Sequence, residues 1–253
     1  MREVDLINLL NGAFAADPRR RLPPFACDAE LITIAGQTWA LTLDDFTPEE
    51  DLFTDDDPHR LGANLAVATI SDILAAGAEP AYFLHAVALP KNATAGFIEA
   101  FARGVHDVLA ECGCSLHGGD TGTAATWHYT GFAMGPARPR GALTRSAPRQ
   151  NGLLWVTGRL GDANLAAFRR TPTPEFELRL TESRVINDYA VACIDTSGGF
   201  ADAIWLLHEQ SNHVRFEVDM DALPLPGELP AFAAAAGVPP EAVLFGGAGE
   251  YEL

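Results

Sequence analysis

The chain has 253 residues, 48% of them hydrophobic, and its 34 acidic side chains outnumber 17 lysines and arginines to give a formal net charge of −17. That much apolar material builds one large core or two modest ones. The excess negative charge argues against a nucleic-acid backbone or an anionic membrane as partner, because both would be repelled, and makes cations the natural complement.

Taken in chain order, MREVDLINLLNGAF starts as an amphipathic helix with Asp5 inside its apolar run, unlike a secretion signal. No stretch reaches the roughly 18 apolar residues of a membrane span, so a cytoplasmic protein is expected. ELITIAG and QTWALTL, from Glu30 to Leu43, predict two strands joined at Gly36 and Gln37. A buried helix is expected over Leu61 to Ala78, a strand over 81–90, a helix over 95–112 and a strand over 126–135. The segment PARPRGALTRSAPRQNG, 136–152, has no periodicity and marks a boundary between a domain at 1–147 and a second at 148–253. Beyond it, LLWVTG reads as a strand, GDANLAAFRR as a helix, RLTESRVINDYAVACID as a helix running into a strand, GGFADAIWLLHEQ as a helix, and VRFEVDM as an exposed strand. Helices and strands mix throughout, an α+β (mixed α/β) pattern without short repeats.

Asp72 is the anomaly in the buried helix. Leu65, Val67, Ala68, Ile70, Ile73, Leu74 and Ala75 surround it, and an unpaired carboxylate there costs several kcal/mol unless it caps, pairs, protonates or binds a cation. Asp28, Asp44, Asp120 and Asp195 sit at the expected ends of elements or in turns, where each alone has an ordinary explanation as a turn or N-cap residue. Glycine pairs beside Asp120 (HGGDTG) and Asp195 (IDTSGG) let backbone approach a ligand, and carboxylates converging from several elements are what Mg²⁺ with bound phosphates requires.

The four cysteines, Cys27, Cys112, Cys114 and Cys193, lack the second close pair of a zinc site and are read as reduced packing thiols. There is no GxxxxGK[ST] loop, and Lys91 is the one lysine, so phosphate contacts fall to arginine. Arg138, Arg140, Arg145 and Arg149 cluster in 136–152, either as a solvated basic linker or facing phosphate. His117 is the one histidine near the candidate residues and is read as structural, and Trp155 and Trp205 are read as core.

An ordered series of segments, REVDLI, TLDDF, LAVATISDILAAGAEP, HGGDTG, RSAPRQNGLLWVTGRLGDA, IDTSGGFADA and FGGAGEYEL, resembles the thiamine-monophosphate kinase branch of the AIR-synthase (PurM-like) superfamily over almost the whole chain. That superfamily also includes selenophosphate synthetase and a hydrogenase-maturation protein. The resemblance implies a two-domain fold whose N-terminal sheet pairs across a homodimer, with ATP bound where two subunits meet. It implies that Asp28, Asp44, Asp72, Asp120 and Asp195 hold Mg²⁺, that ATP also touches Gly118, Gly119 and Thr121, with Arg145 and Ser197 beside them, and that Asp195 and Arg145 are catalytic. The implied activity is transfer of the ATP γ-phosphate to a small metabolite, with thiamine monophosphate first among acceptors. Another acceptor of the superfamily, or a nucleotide-binding relative without catalysis, is the alternative.

Three departures accompany the resemblance. Family members carry Ser-Asp-Gly where this chain has Ser197, Gly198 and Gly199, so an aspartate beside the acceptor is missing, and Asp202 is either its substitute or an ordinary first-turn acid. The acidic loop before the first strand keeps Asp28 but loses its neighbouring acid. Gly249 and Glu250 stand where Glu and Asp are usual, and the sequence stops at Leu253, so a shortened C-terminal domain is expected.

Overall fold

The computed structural model describes residues 3–14, 20–211 and 214–253. Of the REVDLI segment, Arg2 lies outside the described residues, and α1 spans Glu3–Asn11.

The sheet is built from β1 (Glu30–Ile34), β2 (Gln37–Phe46), β3 (Tyr82–Leu89), β4 (Ser115–Thr123) and β5 (His128–Pro136), in the order β1-β2-β5-β3-β4. β1 and β2 form an antiparallel hairpin turned at Ala35 and Gly36, both in the left-handed region. β5 is antiparallel to both its neighbours, and β3 runs parallel to β4. The expected strands at 30–43, 81–90 and 126–135 and the helix at 95–112 are therefore present. β4 is an addition: HGGDTG reads as a loop because its polar and glycine residues do not alternate, yet the parallel crossover from β3 places it at the sheet edge.

α2 (Pro58–Ala75) and α3 (Ala95–Cys112) cover one face of this sheet. The Asp57 carboxylate caps α2 by accepting from His59 N and Arg60 N, and Pro58 follows at the first helical position. The helix starts three residues before the expected Leu61 because the cap, and not the apolar pattern, sets its beginning. Every residue from Leu61 to Ala75 is buried except Asp72. α2 and α3 approach closely through glycine: a Cβ on Gly62 would overlap the Phe101 carbonyl oxygen, and one on Gly104 would overlap that of His59. Gly131 on β5 does the same for Thr69, so sheet, α2 and α3 stack tightly and fix Asp72 laterally.

The second half holds α4 (Asp162–Arg169), α5 (Leu180–Tyr189), α6 (Phe200–Gln210) and α7 (Leu229–Ala236). The strands expected at 153–158, before Asp195 and at 214–220 are not formed. Extended chain is present, but its contacts are single ones: Thr157 N donates to Leu253 O, Thr196 N to Glu252 O and Glu250 N to Thr196 O. The hydroxyls of Thr157 and Thr196 accept from Leu253 N and Glu252 N, taking bonds that a ladder would use. The main apolar cluster joins Phe46, Phe53 and Tyr129 to Phe176, Leu180, Tyr251 and Leu253, so residues on both sides of 147 share one core.

Segment 137–152 is a docked strap. Arg138 N donates to Gly77 O, Leu143 N to Ala76 O and Arg145 N to Ala26 O, laying the chain across the C-terminal end of α2. Arg138 is buried, bonded to the Ser183 carbonyl and hydroxyl and to Glu79, while Arg140 donates to Asn187 O. These two arginines brace α5, Arg138 from a buried position and Arg140 from an exposed one.

Candidate functional site

Three carboxylates meet at the end of α2. Asp28, in the turn before β1, Asp72, in the last turns of α2, and Asp195, in the extended run before α6, each offer an oxygen within 4.8 Å of the others. Asp72 Oδ2 accepts from Thr42 Oγ1 at 2.6 Å, and Ser71 Oγ donates to Asp195 Oδ2. Asp195 Oδ1 accepts from the Ser197 amide at 3.2 Å and hydroxyl at 2.7 Å. Asp72 and Asp195 are thus aimed by short hydroxyl side chains, and Asp28 by Arg145.

Asp44 faces the same cluster from the inner side of β2. Its Oδ2 is buried without a hydrogen-bond partner, as is Oδ2 of Asp28. Burial, reinforced by Asp195, Asp28 and Asp51, pushes the Asp44 carboxyl up to about 8. Burial likewise pushes Asp28 up to about 6 against the opposing pull of Arg145. Asp72 is raised well above the ordinary carboxylate range by burial and then by Asp44, Asp195 and Asp28. Asp28, Asp44 and Asp72, whose affinity for protons is raised in this crowd, will trade those protons for a cation. The donors are all carboxylate oxygens, which suit a hard divalent ion such as Mg²⁺, and the orphaned oxygens of Asp28 and Asp44 supply unused lone pairs.

Arg145, delivered by the strap, donates from Nη2 to Asp28 Oδ1 at 2.6 Å, while its Nε is buried with no partner. One edge of the guanidinium is committed to the acid cluster. The Nε–H is a buried donor left unused beside that cluster.

Asp120 is not among these groups. Across the sheet Asp44 pairs with Gly131, Gly131 with His85 and His85 with Gly119, whereas Asp45 pairs with Thr130, Thr130 with Ala86 and Ala86 with Asp120. Directly paired residues point to one face, so Asp120 projects from the outer face with Asp45, opposite Asp44. It is also three strand spacings from β2, roughly 14 Å. Within one chain, Asp120, Gly118 and Thr121 lie on an exposed edge strand away from the cluster. Gly119 has a structural reason to be glycine, since a Cβ there would overlap the His85 carbonyl at the bulge between β3 and β4. His117 stands on the outer face, edge-on to Tyr82, and not at the cluster.

The segment FGGAGEYEL closes the other side. Gly249 is packed against the Ser197 carbonyl and the Tyr251 ring, which leaves no room for a side chain. Glu250 turns away from the carboxylates, accepting from Gly161 N and Ala163 N at the start of α4. Tyr251 is buried, and burial, then Asp195, Asp51, Asp44 and Asp72, raise its phenol far above the ordinary value. Thr42, Ser71 and Tyr251 are not part of the sequence reading; the one signal the sequence holds for them is the Ser71–Asp72 dipeptide inside an otherwise apolar helix. Trp155 and Trp205 are not core residues: Trp155 is 81% exposed, because 153–157 lacks a flanking strand, and Trp205 is 47% exposed on α6.

Comparison with known proteins agrees with this fold. The family model described as AIR synthase related protein, N-terminal domain, matches residues 27–137. The thiamine-monophosphate kinase of Archaeoglobus fulgidus is 28% identical over all of this chain and 84% of its own length. That of Escherichia coli K12 is 28% identical over 86% of this chain and 70% of its own. The solved structure of AaThiL complexed with AMPPCP and TMP superimposes with a TM-score of 0.83 at 24% identity, covering 100% of this chain and 85% of that one. Residues 27–137 thus carry an AIR synthase related N-terminal domain, and the whole chain has the fold of that solved structure. Both of these relatives that share the sequence at this level are thiamine-monophosphate kinases, and the chain is similar to them over most of its length.

Proposed function

We propose that the chain is an ATP- and Mg²⁺-dependent kinase that transfers the ATP γ-phosphate to thiamine monophosphate. The observation that carries this reading is the meeting of Asp28, Asp72 and Asp195, with Asp44 beside them and Arg145 presenting a free Nε. Its support from relatives is their name, shared by the Archaeoglobus fulgidus and Escherichia coli proteins.

Bound Mg²⁺ supplies charge neutralisation at the nucleotide phosphates. Asp28, Asp44, Asp72 and Asp195 hold it, with Thr42 and Ser71 fixing two of them. Arg145 draws the transferring phosphoryl oxygens by Nε, and Ser197 orients Asp195. A phosphate oxygen of the acceptor forms the new P–O bond as the bond from the γ-phosphorus to the bridging oxygen breaks and ADP leaves. A phosphate acceptor is already ionised at neutral pH, so no general base is needed.

Residues 1–147 then serve as the nucleotide and dimerisation domain and 148–253 as the second domain. A homodimer is part of the proposal. The outer sheet face exposes Leu43 by 66%, Ile34 and Tyr82 by 41% and Leu84 by 38%, and β4 leaves an open edge. A second copy covering this face would bring Gly118, Asp120 and Thr121 to a boundary between subunits, where a nucleotide can reach them. Among the described residues no helix is long and apolar enough to cross a membrane, and a cytoplasmic setting accords with the proposed chemistry. Gly198, which removes a carboxylate from the loop next to Asp195, favours as a second reading a nucleotide-binding protein without turnover.

Incubation with ATP, Mg²⁺ and thiamine monophosphate decides between them. ADP and thiamine diphosphate are expected in equal amounts; Mg²⁺-dependent thermal protection by ATP without ADP would support the second reading.

A further inference from the structure

Gly198 has a neighbour that occupies the room of its missing side chain. A Cβ built there would lie 2.6 Å from Asp202 Oδ2 and 3.3 Å from Asp202 Cβ. Asp202 belongs to the first turn of α6, a position where an acid ordinarily caps the helix. It does not do so: the α6 N-terminus has no side-chain cap, and Gly199, at φ 87°, turns the chain into the helix instead. Nor does Asp202 take part in any hydrogen bond or ion pair among the described residues. Its carboxylate bends back over Gly198, next to Ser197, where the Arg145 charge reaches it as it reaches Asp28. Arg145 is thus bonded to the enclosed acids through Asp28 and is felt by an exposed one at Asp202.

We propose that Asp202, folded over Gly198, is the carboxylate that holds a divalent cation on the acceptor side of the site. The inference rests on the kinase reading for the word acceptor, but not for the cation. A carboxylate oxygen at this place can bridge by way of a cation to a phosphate that Arg145 also touches, which sets where the acceptor phosphate sits relative to the nucleotide. The loop lacks a side chain at 198 because the helix supplies one from four residues further on.

Mn²⁺ is the probe, titrated into the full chain with a non-hydrolysable ATP analogue and read by the electron paramagnetic resonance of the free ion. Asp202→Asn is expected to lose one bound ion or to weaken it about ten-fold or more, a loss of the size seen when ligand-sphere carboxylates are removed. Gly198→Ala keeps the charge but drives the carboxylate off its place, and is expected to weaken the same ion; Gly198 lies outside the left-handed region, so alanine is tolerated by the backbone. Gly198→Asp combined with Asp202→Ala empties the space above residue 198, returns a carboxylate to it and is expected to restore the ion. Mn²⁺ binding by Asp202→Asn equal to that of the parent, or no restoration in the double variant, overturns the assignment. A lowered acceptor affinity with unchanged Mn²⁺ binding overturns it as well. Should the parent bind Mn²⁺ and nucleotide yet transfer nothing to thiamine monophosphate, the kinase reading fails while the Asp202 result stands.

Discussion

Arg145 Nη2 lies 2.6 Å from Asp28 Oδ1, joining the strap to the turn before β1 across 117 residues, and the Asp28 side chain is only 1% exposed. Removing the guanidinium strands a buried acid. Arg145→Ala is expected to cost about 3 kcal/mol at pH 8, in line with broken buried pairs. The cost shrinks towards pH 5, where Asp28 takes up a proton. Urea unfolding at the two pH values checks this; an equal cost at both would contradict it. Phosphoryl transfer should be lost, whereas Arg138→Met, which frees a brace on α5, should lower stability and leave the acid cluster's Mg²⁺ affinity alone.

The acid cluster makes stability fall with rising pH when no divalent ion is added. Asp28, near 6, and Asp44, near 8, have folded values above the unfolded carboxylate, so the folded state binds more protons. Their contribution is present in full below about pH 4 and is lost as pH rises through 6 to 8. The loss should be on the order of 1–3 kcal/mol, counting about 1.4 kcal/mol per pK unit and discounting for coupling. Mg²⁺ should therefore raise the melting temperature little at pH 5 and clearly at pH 8.5. In Asp44→Asn that difference should narrow. Calorimetry across pH with and without Mg²⁺ measures it.

Asp72→Asn removes a charge from the centre of the group. Mg²⁺-dependent nucleotide binding should weaken by a factor of about 100. The ion-free protein should become more stable at pH 8, because Asp44 and Asp195 lose a like-charged neighbour. Unchanged nucleotide affinity in calorimetric titration would remove Asp72 from the site.

Helix approach through glycine gives a test of packing alone. Gly104→Ala forces a methyl into the His59 carbonyl and should destabilise by about 1–3 kcal/mol. Gly227→Ala meets nothing within 4 Å and should stay within about 0.5 kcal/mol of the parent. Denaturant midpoints compare them.

The uncovered sheet face predicts association. Leu43→Asp should shift sedimentation from dimer to monomer and abolish ATP turnover with it, since Asp120 and the cluster lie on opposite faces of one chain's sheet. A monomeric parent with full activity would rule out the subunit-boundary site.

Much of this was readable from residues. Asp72 was found because a carboxylate among Ile70, Ile73 and Leu74 has no local reason to exist, and β2, β3, α3 and β5 followed from apolar periodicity and caps. The failures share a cause. β4 carries glycines and polar residues because it is an edge, so period-two alternation is absent, and side-chain face depends on strand register, which sequence spacing does not reveal for Asp120. In the second half, LLWVTG has strand composition, but composition does not supply a hydrogen-bonding neighbour. Arg138 and Arg145 look alike in the sequence, and only the path of the strap over α2 sends one to Ser183 and the other to Asp28.

That path has a temporal side. Asp28, Asp44 and Asp72 leave the ribosome well before Arg145, and Asp195 later still, so the growing polypeptide carries a knot of acids whose counter-charge has not yet been made. Protons or free Mg²⁺ in the surrounding solution must stand in until the strap arrives, which makes early folding of this molecule sensitive to the ionic conditions of its synthesis.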